Sequence, residues 1–194
     1  ALNDVSTTAK KDGAGYVLNG QKAVVLGAPQ ADYLLVSART AGGQRDEKGV
    51  SLFLVPKNAK GVSTRDYPTM DGSRAAEVYL ENVSVGAEAL LGAVDGALPL
   101  IERLVDEANA AYNHEAVGAM RMMTSSTQDY AKTRKQFGRA IADFQVLQHR
   151  MVDMFMASEE SYSMALRATI LLGGTDEERA KAVSAAKVSI GKHS

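Results

Sequence analysis

The sequence has no cysteine, which excludes disulfides, thiolate metal sites and thiol nucleophiles and agrees with a reducing cytoplasm. It has almost no net charge, because 22 Lys and Arg stand against 23 Asp and Glu. No global field then favours nucleic acid or an anionic membrane, and any anionic ligand must be held locally. No apolar run approaches the roughly 20 residues of a membrane-spanning helix, and Ala1 to Lys11 lack the basic-then-apolar pattern of a signal peptide. A soluble chain is expected, with neither nucleic acid nor membrane as a partner. The three histidines, His114, His149 and His193, show no spacing of a metal triad. The chain starts at Ala1 without methionine and stops at Ser194 inside a helical pattern, which suggests a fragment.

What is present is enough apolar material, 45% of 194 residues, for one ordinary domain or two small ones. From Tyr16 to Asn82 the apolar residues come in short runs separated by turn residues, as in strands. Asn19-Gly20 between Tyr16-Val17-Leu18 and Ala23-Val24-Val25-Leu26 reads as a tight hairpin turn. Further strands are expected at Tyr33–Val36, Val50–Val55 and Ala75–Leu80, with an exposed loop from Gly42-Gly43 to Lys48. With no helical period between the runs, antiparallel pairing in a barrel or sandwich is the natural solution.

Beyond Gly96 the period lengthens to that of a helix. Leu98, Ile101, Val105, Ala108 and Tyr112 form one stripe, and Phe144, Leu147, Met151, Met154 and Ser158 another. A third helix is expected after the Gly173-Gly174 turn, where Thr175 to Glu178 matches a capping box ahead of Val183, Ala186 and Ile190. Met120, Met122, Met123, Met151, Met154 and Met156 read as adaptable core filling. Strands first and helices after make the fold α+β: a sheet domain over residues 1–92, then an up-down helical bundle domain over residues 93–194.

Between the first two helices lie Arg134-Lys135-Gln136-Phe137-Gly138 and then Asp143, Phe144, Gln145 and His149. Two readings are open. In one, Lys132, Arg134 and Lys135 complement the negative end of the preceding helix and Asp143 caps the next. In the other, a planar arginine fork and the amides of a helix start converge on an anion such as a pyrophosphate.

The run from Tyr130 to Met154 resembles the signature of the acyl-CoA dehydrogenase family, in which an R-x-x-F-G turn precedes a helix carrying an aromatic residue or histidine and then glutamine. Gly118 within Glu115 to Met120 is similar to that family's small-residue helix. The segments Gly15–Thr40, Gly49–Pro56 and Ala75–Gly92 resemble its strands, and the motifs come in the family's order over almost the whole chain. The closer likeness is to small subunits of bacterial pimeloyl-CoA dehydrogenase.

The resemblance implies FAD as cofactor, an acyl-CoA (including a dicarboxylyl-CoA) as substrate, α,β-desaturation as the reaction, and an acceptor such as an electron-transfer flavoprotein. It implies an acyl-CoA dehydrogenase middle domain and the truncated start of its C-terminal helical domain, in a cytoplasmic homo- or hetero-oligomer. Arg134 and Gln136 would contact the flavin's diphosphate and adenosine side across a subunit interface, with Phe137 beside them and Phe144 and Gln145 giving further adenosine contacts.

The sequence also departs from the pattern. Where the family usually has tryptophan, a β-branched residue and threonine against the flavin, this chain has Val24, Val25 and Leu26, and it has no tryptophan at all. Leu26 would still border the flavin, but its side chain gives no hydrogen bond. The position of the catalytic carboxylate in one branch of the family is Ala108. Glu107 is adjacent but turned by about 100° around the helix, the next position is Asn109, and Glu115 reads as exposed or structural. In the larger branch the base lies beyond position 194. The sequence is therefore compatible with a catalytic subunit whose base lies outside it, or with a non-catalytic, FAD-supporting subunit of a heteromeric dehydrogenase.

Overall fold

In the computed structural model, which describes all 194 residues, the chain forms two compact units, Ala1–Glu102 and Arg103–Ser194. The first is a seven-stranded sheet built from β1 (Thr8–Asp12), β2 (Gly15–Leu26), β3 (Tyr33–Arg39), β4 (Val50–Pro56), β5 (Val62–Pro68), β6 (Arg74–Val85) and β7 (Leu90–Leu91). Its order is β5-β6-β2-β1-β3-β4-β7. The ends of that order, β5 and β7, do not pair, so of the expected barrel or sandwich the sheet does not close into a barrel. Neighbours are antiparallel except β1 and β3, which meet in parallel at Thr8 and Arg39, where the Arg39 amide donates to the Thr7 carbonyl at 2.7 Å.

Asn19-Gly20 is not a hairpin turn. β2 runs through it, and the turn lies earlier, between Asp12 and Gly15, which pair directly. The pairing of β2 with β6 slips between Leu18 and Gly20, where the Asn19 side chain accepts from the Asn82 amide at 2.8 Å. Gly20 has φ 147°, and a Cβ there would lie 2.8 Å from the Thr7 Cα. Its freedom serves a bulge and a close strand approach, not a turn.

Alternation along β3 turns Leu34, Val36 and Ala38 inward and leaves Tyr33 and Leu35 exposed. The inward residues join Leu18, Phe53, Val55, Val78, Leu80 and Val83 in one core, with Tyr16 edge-on to Phe53 at 5.0 Å. Burying each such side chain stabilises the fold by roughly 1.5–3 kcal/mol. The loop between β3 and β4 is exposed at its tip, as the sequence suggests, but it is anchored from beneath by buried Arg39. That guanidinium donates to the carbonyls of Asn3, Gln44, Asp46 and Lys48 at 2.6–2.9 Å.

The second unit comprises α1 (Leu98–Thr133) from Arg103 onward, α2 (Gln145–Leu171) and α3 (Asp176–His193). Arg121 meets Glu159 and His114 meets Thr169, while Glu160 meets His193 and Ala168 packs with Val183. The three helices therefore run up, down and up. Small buried residues, among them Ser158, Ser161, Ala165, Ala168, Ala182 and Ala186, let them approach closely. The capping box at Thr175 forms: its hydroxyl accepts from the Glu178 amide at 3.3 Å, and its own amide donates to the Glu178 carboxylate at 3.0 Å.

The inward stripe of α1 follows the expected one at Leu98, which is buried, and at half-buried Ile101 and Val105, and departs from it beyond them. Ala110, Asn113, Val117, Met120, Thr124 and Ala131 are buried, whereas Ala108 and Tyr112 are exposed. Met122, Met123 and Met156 are also exposed, so within this chain they are not core filling. No helix is long and apolar enough to cross a membrane.

Candidate functional site

The junction of α1 and α2 gathers most of the residues singled out in the sequence. Thr133 closes α1 by donating its hydroxyl to the Asp129 and Tyr130 carbonyls, and the Arg134 amide adds a bond to the Tyr130 carbonyl at 2.9 Å. The chain then makes a short hairpin, pairing β8 (Lys135–Gln136) with β9 (Arg139–Ala140). Its two turn residues, Phe137 and Gly138, have φ 54° and 82°, the pattern of a primed two-residue turn. Glycine takes this conformation freely; for Phe137 it costs roughly 1–2 kcal/mol. The hairpin closes where the Ile141 amide donates to the Arg134 carbonyl at 2.9 Å.

One turn of 3-10 helix, Ile141–Asp143, leads into α2. Its N-cap is Phe144, with no side-chain cap, so Asp143 does not cap the helix. Asp143 falls one residue too early, inside the 3-10 turn, and the Phe144 carbonyl instead takes the amides of Leu147 and Gln148. The Phe144 ring lies edge-on to Phe137 at 6.1 Å, and the Arg139 guanidinium stacks over it at 4.1 Å. Arg134, Lys135 and Arg139 are exposed and none forms an ion pair. Gln136 and Gln145 are exposed amides, and Phe137 is 92% exposed.

The junction thus presents three unneutralised cations, a helix start without a side-chain cap, two free carboxamides and an aromatic step. This donor set fits an anionic ligand that also carries a flat ring, such as FAD. A hollow of about 390 Å³, lined by Lys132, Ala142, Gln148, Met151 and Phe155 among others, opens beside it.

Leu26 lies in the other unit, at the end of β2. There the pairing with β6 slips again, between Lys22 and Val25. Val24 has φ 51°, a conformation that strains a β-branched residue by roughly 1–3 kcal/mol. Val24 and Leu26 are 59% and 61% exposed, while Val25 packs on the core. The Val24 amide donates to Glu77 Oε1 at 3.3 Å, the Tyr67 hydroxyl to the same oxygen at 2.9 Å, and Gln21 Nε2 to Oε2 at 3.1 Å. The Tyr67 hydrogen bond, then the Val24 amide, hold the Glu77 carboxyl below its usual range. Nearby, Lys22 Nζ donates to Ser37 Oγ at 3.0 Å, and burial pushes this lysine down to about 8.

The remaining candidates are dispersed. Glu107 is exposed and paired with Arg103 at 2.9 Å one turn back. Glu115 and His149 are exposed, and Asn109 is half-buried. His114 shares a hydrogen bond with Thr169 at 2.8 Å. Sequence reasoning missed Glu77 and Tyr67. The available signal was a carboxylate in the otherwise apolar run Ala75–Leu80.

Two domain models of one family match the chain: acyl-CoA dehydrogenase, middle domain, over residues 1–83, and acyl-CoA dehydrogenase, C-terminal domain, over residues 100–194. The 3-(aryl)acrylate reductase of Clostridium sporogenes is 33% identical over 153 residues, 77% of this chain and 40% of that protein. The probable acyl-CoA dehydrogenase YngJ of Bacillus subtilis is 33% identical over 168 residues, 85% of this chain and 44% of that protein. A solved FAD complex of PigA superposes with a TM-score of 0.89 at 26% identity, over 98% of this chain and 50% of that one. The chain belongs to the acyl-CoA dehydrogenase family, and it spans less than half the length of these two curated relatives.

Proposed function

We propose that this chain, as a member of the acyl-CoA dehydrogenase family, is part of a cytoplasmic FAD-dependent subunit that desaturates an acyl-CoA between its α and β carbons. The observation that carries the reading is the junction hairpin, where Arg134, Gln136, Phe137, Phe144 and Gln145 present exposed donors and rings and Arg134 has no counter-ion. In this reading Arg134 and Gln136 hold the flavin's diphosphate and adenosine side, Phe137, Phe144 and Gln145 border the adenosine, and Leu26 borders the ring system. The bound flavin supplies a hydride acceptor; the chain's own residues bind and orient. The substrate class includes dicarboxylyl-CoA thioesters such as pimeloyl-CoA. Partners are further dehydrogenase subunits, identical or not, and an electron-transfer flavoprotein as acceptor. Residues 1–92 act as the middle domain, and residues 93–194 open the C-terminal helical domain.

A second reading, a non-catalytic subunit that lends its hairpin to a neighbour's flavin, is favoured by one observation. Val24 and Leu26 turn outward as plain hydrocarbon and offer no side-chain donor. The full-length protein, purified alone and with a co-expressed neighbouring dehydrogenase subunit, separates the two by its visible flavin spectrum. Stoichiometric flavin in the lone protein, bleached by an acyl-CoA, identifies a catalytic subunit. A colourless lone protein that gives a yellow, bleachable complex identifies a supporting one. Absence of flavin from both preparations rejects both readings.

A further inference from the structure

We propose that Glu77, braced by Tyr67 and Gln21, is a positioning residue that fixes which side chains of β2 face outward at the end bordering the flavin. The pairing of β2 with β6 carries the argument. Lys22 lies opposite Val78 and Val25 opposite Ala76, so Ala23 and Val24 together face the single residue Glu77. That is a bulge, and one extra residue inverts the facing of everything after it. Continued without the bulge, the register would put Val24 opposite Ala76, turning Val24 and Leu26 toward the core and Val25 outward. With the bulge, Val25 packs in the core while Val24 and Leu26 stand out.

Two costs oppose the bulge. Val24 must adopt φ 51°, and its amide loses its place in the ladder. The Glu77 carboxylate answers the second by accepting that amide through Oε1. It is held in place by Tyr67 on β5, which shares Oε1, and by Gln21 on β2, which takes Oε2. Arg65, opposite Glu77 on β5, adds positive charge beside the carboxylate. One side chain from the neighbouring strand thus sets the composition of the surface at Val24 and Leu26. The link of that surface to a flavin rests on the function proposed above; the clamp itself does not.

The test exploits the absence of cysteine from residues 1–194. Single substitutions Val25→Cys and Leu26→Cys are introduced into the full-length protein, and thiol labelling at each position is followed by peptide mass. Leu26→Cys should label at least about tenfold faster than Val25→Cys. Adding Glu77→Ala should bring the two rates together, Tyr67→Phe should narrow the gap partway, and Glu77→Gln, which keeps an acceptor at Oε1, should preserve it. A ratio unmoved by Glu77→Ala, or moved as much by Glu77→Gln, overturns the clamp. Because Tyr67→Phe removes a single hydroxyl, its ratio decides the matter if the alanine variant does not fold.

Flavin is read separately. If parent and variants all lack it, both alone and with the co-expressed neighbouring subunit, the function proposed above fails, while labelling still decides the clamp. If Glu77→Ala equalises labelling but leaves the spectrum and occupancy of bound flavin unchanged, the positioning role toward the flavin is overturned.

Discussion

Arg179 and Asp106 meet at 3.0 Å across 73 positions of sequence, joining the start of α3 to α1 through a guanidinium whose side chain is only 6% exposed. Asp176, one turn before Arg179, takes a second bond at 2.7 Å. Asp176 and then Asp106 hold the guanidinium more firmly charged than usual. Removing the arginine leaves the largely buried Asp106 carboxylate without a partner. Arg179→Ala should therefore destabilise the helical unit, read as a fall in the urea midpoint. Arg179→Lys should recover little, because a point charge cannot reach both carboxylates as the fork does.

Arg134→Ala should behave in the opposite way. The side chain is exposed and unpaired, so the urea midpoint should move by no more than about 0.5 kcal/mol in stability. Flavin retained through gel filtration should fall by about tenfold if the guanidinium serves a diphosphate. A variant that keeps its flavin removes Arg134 from the site.

Lys22 gives a pH dependence of definite sign. Burial lowers it from 10.5 to about 8, so between about pH 8 and 10.5 the unfolded chain holds more protons at this position than the folded one. Its contribution to stability then rises with pH across that window and is flat below it. The stability difference between Lys22→Met and the parent, measured by chemical unfolding, should favour the variant at pH 7 and shrink as pH is raised from 8 to 10.5. A difference independent of pH would show that the ammonium is not desolvated.

Thr175→Ala removes the hydroxyl that accepts from the Glu178 amide and donates to its carboxylate, keeps the backbone amide bond of position 175, and should cost about 1 kcal/mol. Faster amide exchange should be confined to the first turn of α3, with the sheet unit unaffected.

Gly49→Ala should be worse than its size suggests. The residue has φ 96°, and a Cβ would fall 2.1 Å from the Ala41 carbonyl oxygen. Strain and clash together should exceed about 1 kcal/mol, visible as a lowered thermal midpoint.

Elements with a local cause were legible in the sequence. The α3 cap was, because Thr175 and Glu178 need only each other, and so were alternating strand β3 and the placing of Arg134 to Gln145 between two helices. The features that differ from the sequence expectation depend on partners far along the chain. Asn19-Gly20 has the chemistry of a turn, but Thr7 and β6 recruit it into a bulge. The α1 stripe expected through Leu98, Ile101, Val105, Ala108 and Tyr112 fails at its last two residues, where the buried face is offset by one or two residues to Ala110 and Asn113. Phe144 took the cap position from Asp143 because a 3-10 turn intervenes, and turns of that kind leave little trace in residue type. The Glu77 clamp was not visible, since only the register of β6 against β2 brings that carboxylate to the Val24 amide.

The strand order also shapes how the chain acquires its structure. β2 lies between β1, its neighbour in sequence, and β6, which pairs Val78 with Lys22 and Tyr16 with Val85. A growing chain can form the β1–β2 and β3–β4 hairpins and the β1–β3 contact early, but the other edge of β2 stays unpaired until Ala75 to Val85 are available. Pairings this distant close slowly, whereas α2 and α3 are adjacent helices of the kind that form fast. Of the two units, the one that emerges first from the ribosome is thus the slower to finish. Its waiting edge is β2, the strand that ends in Val24, Val25 and Leu26.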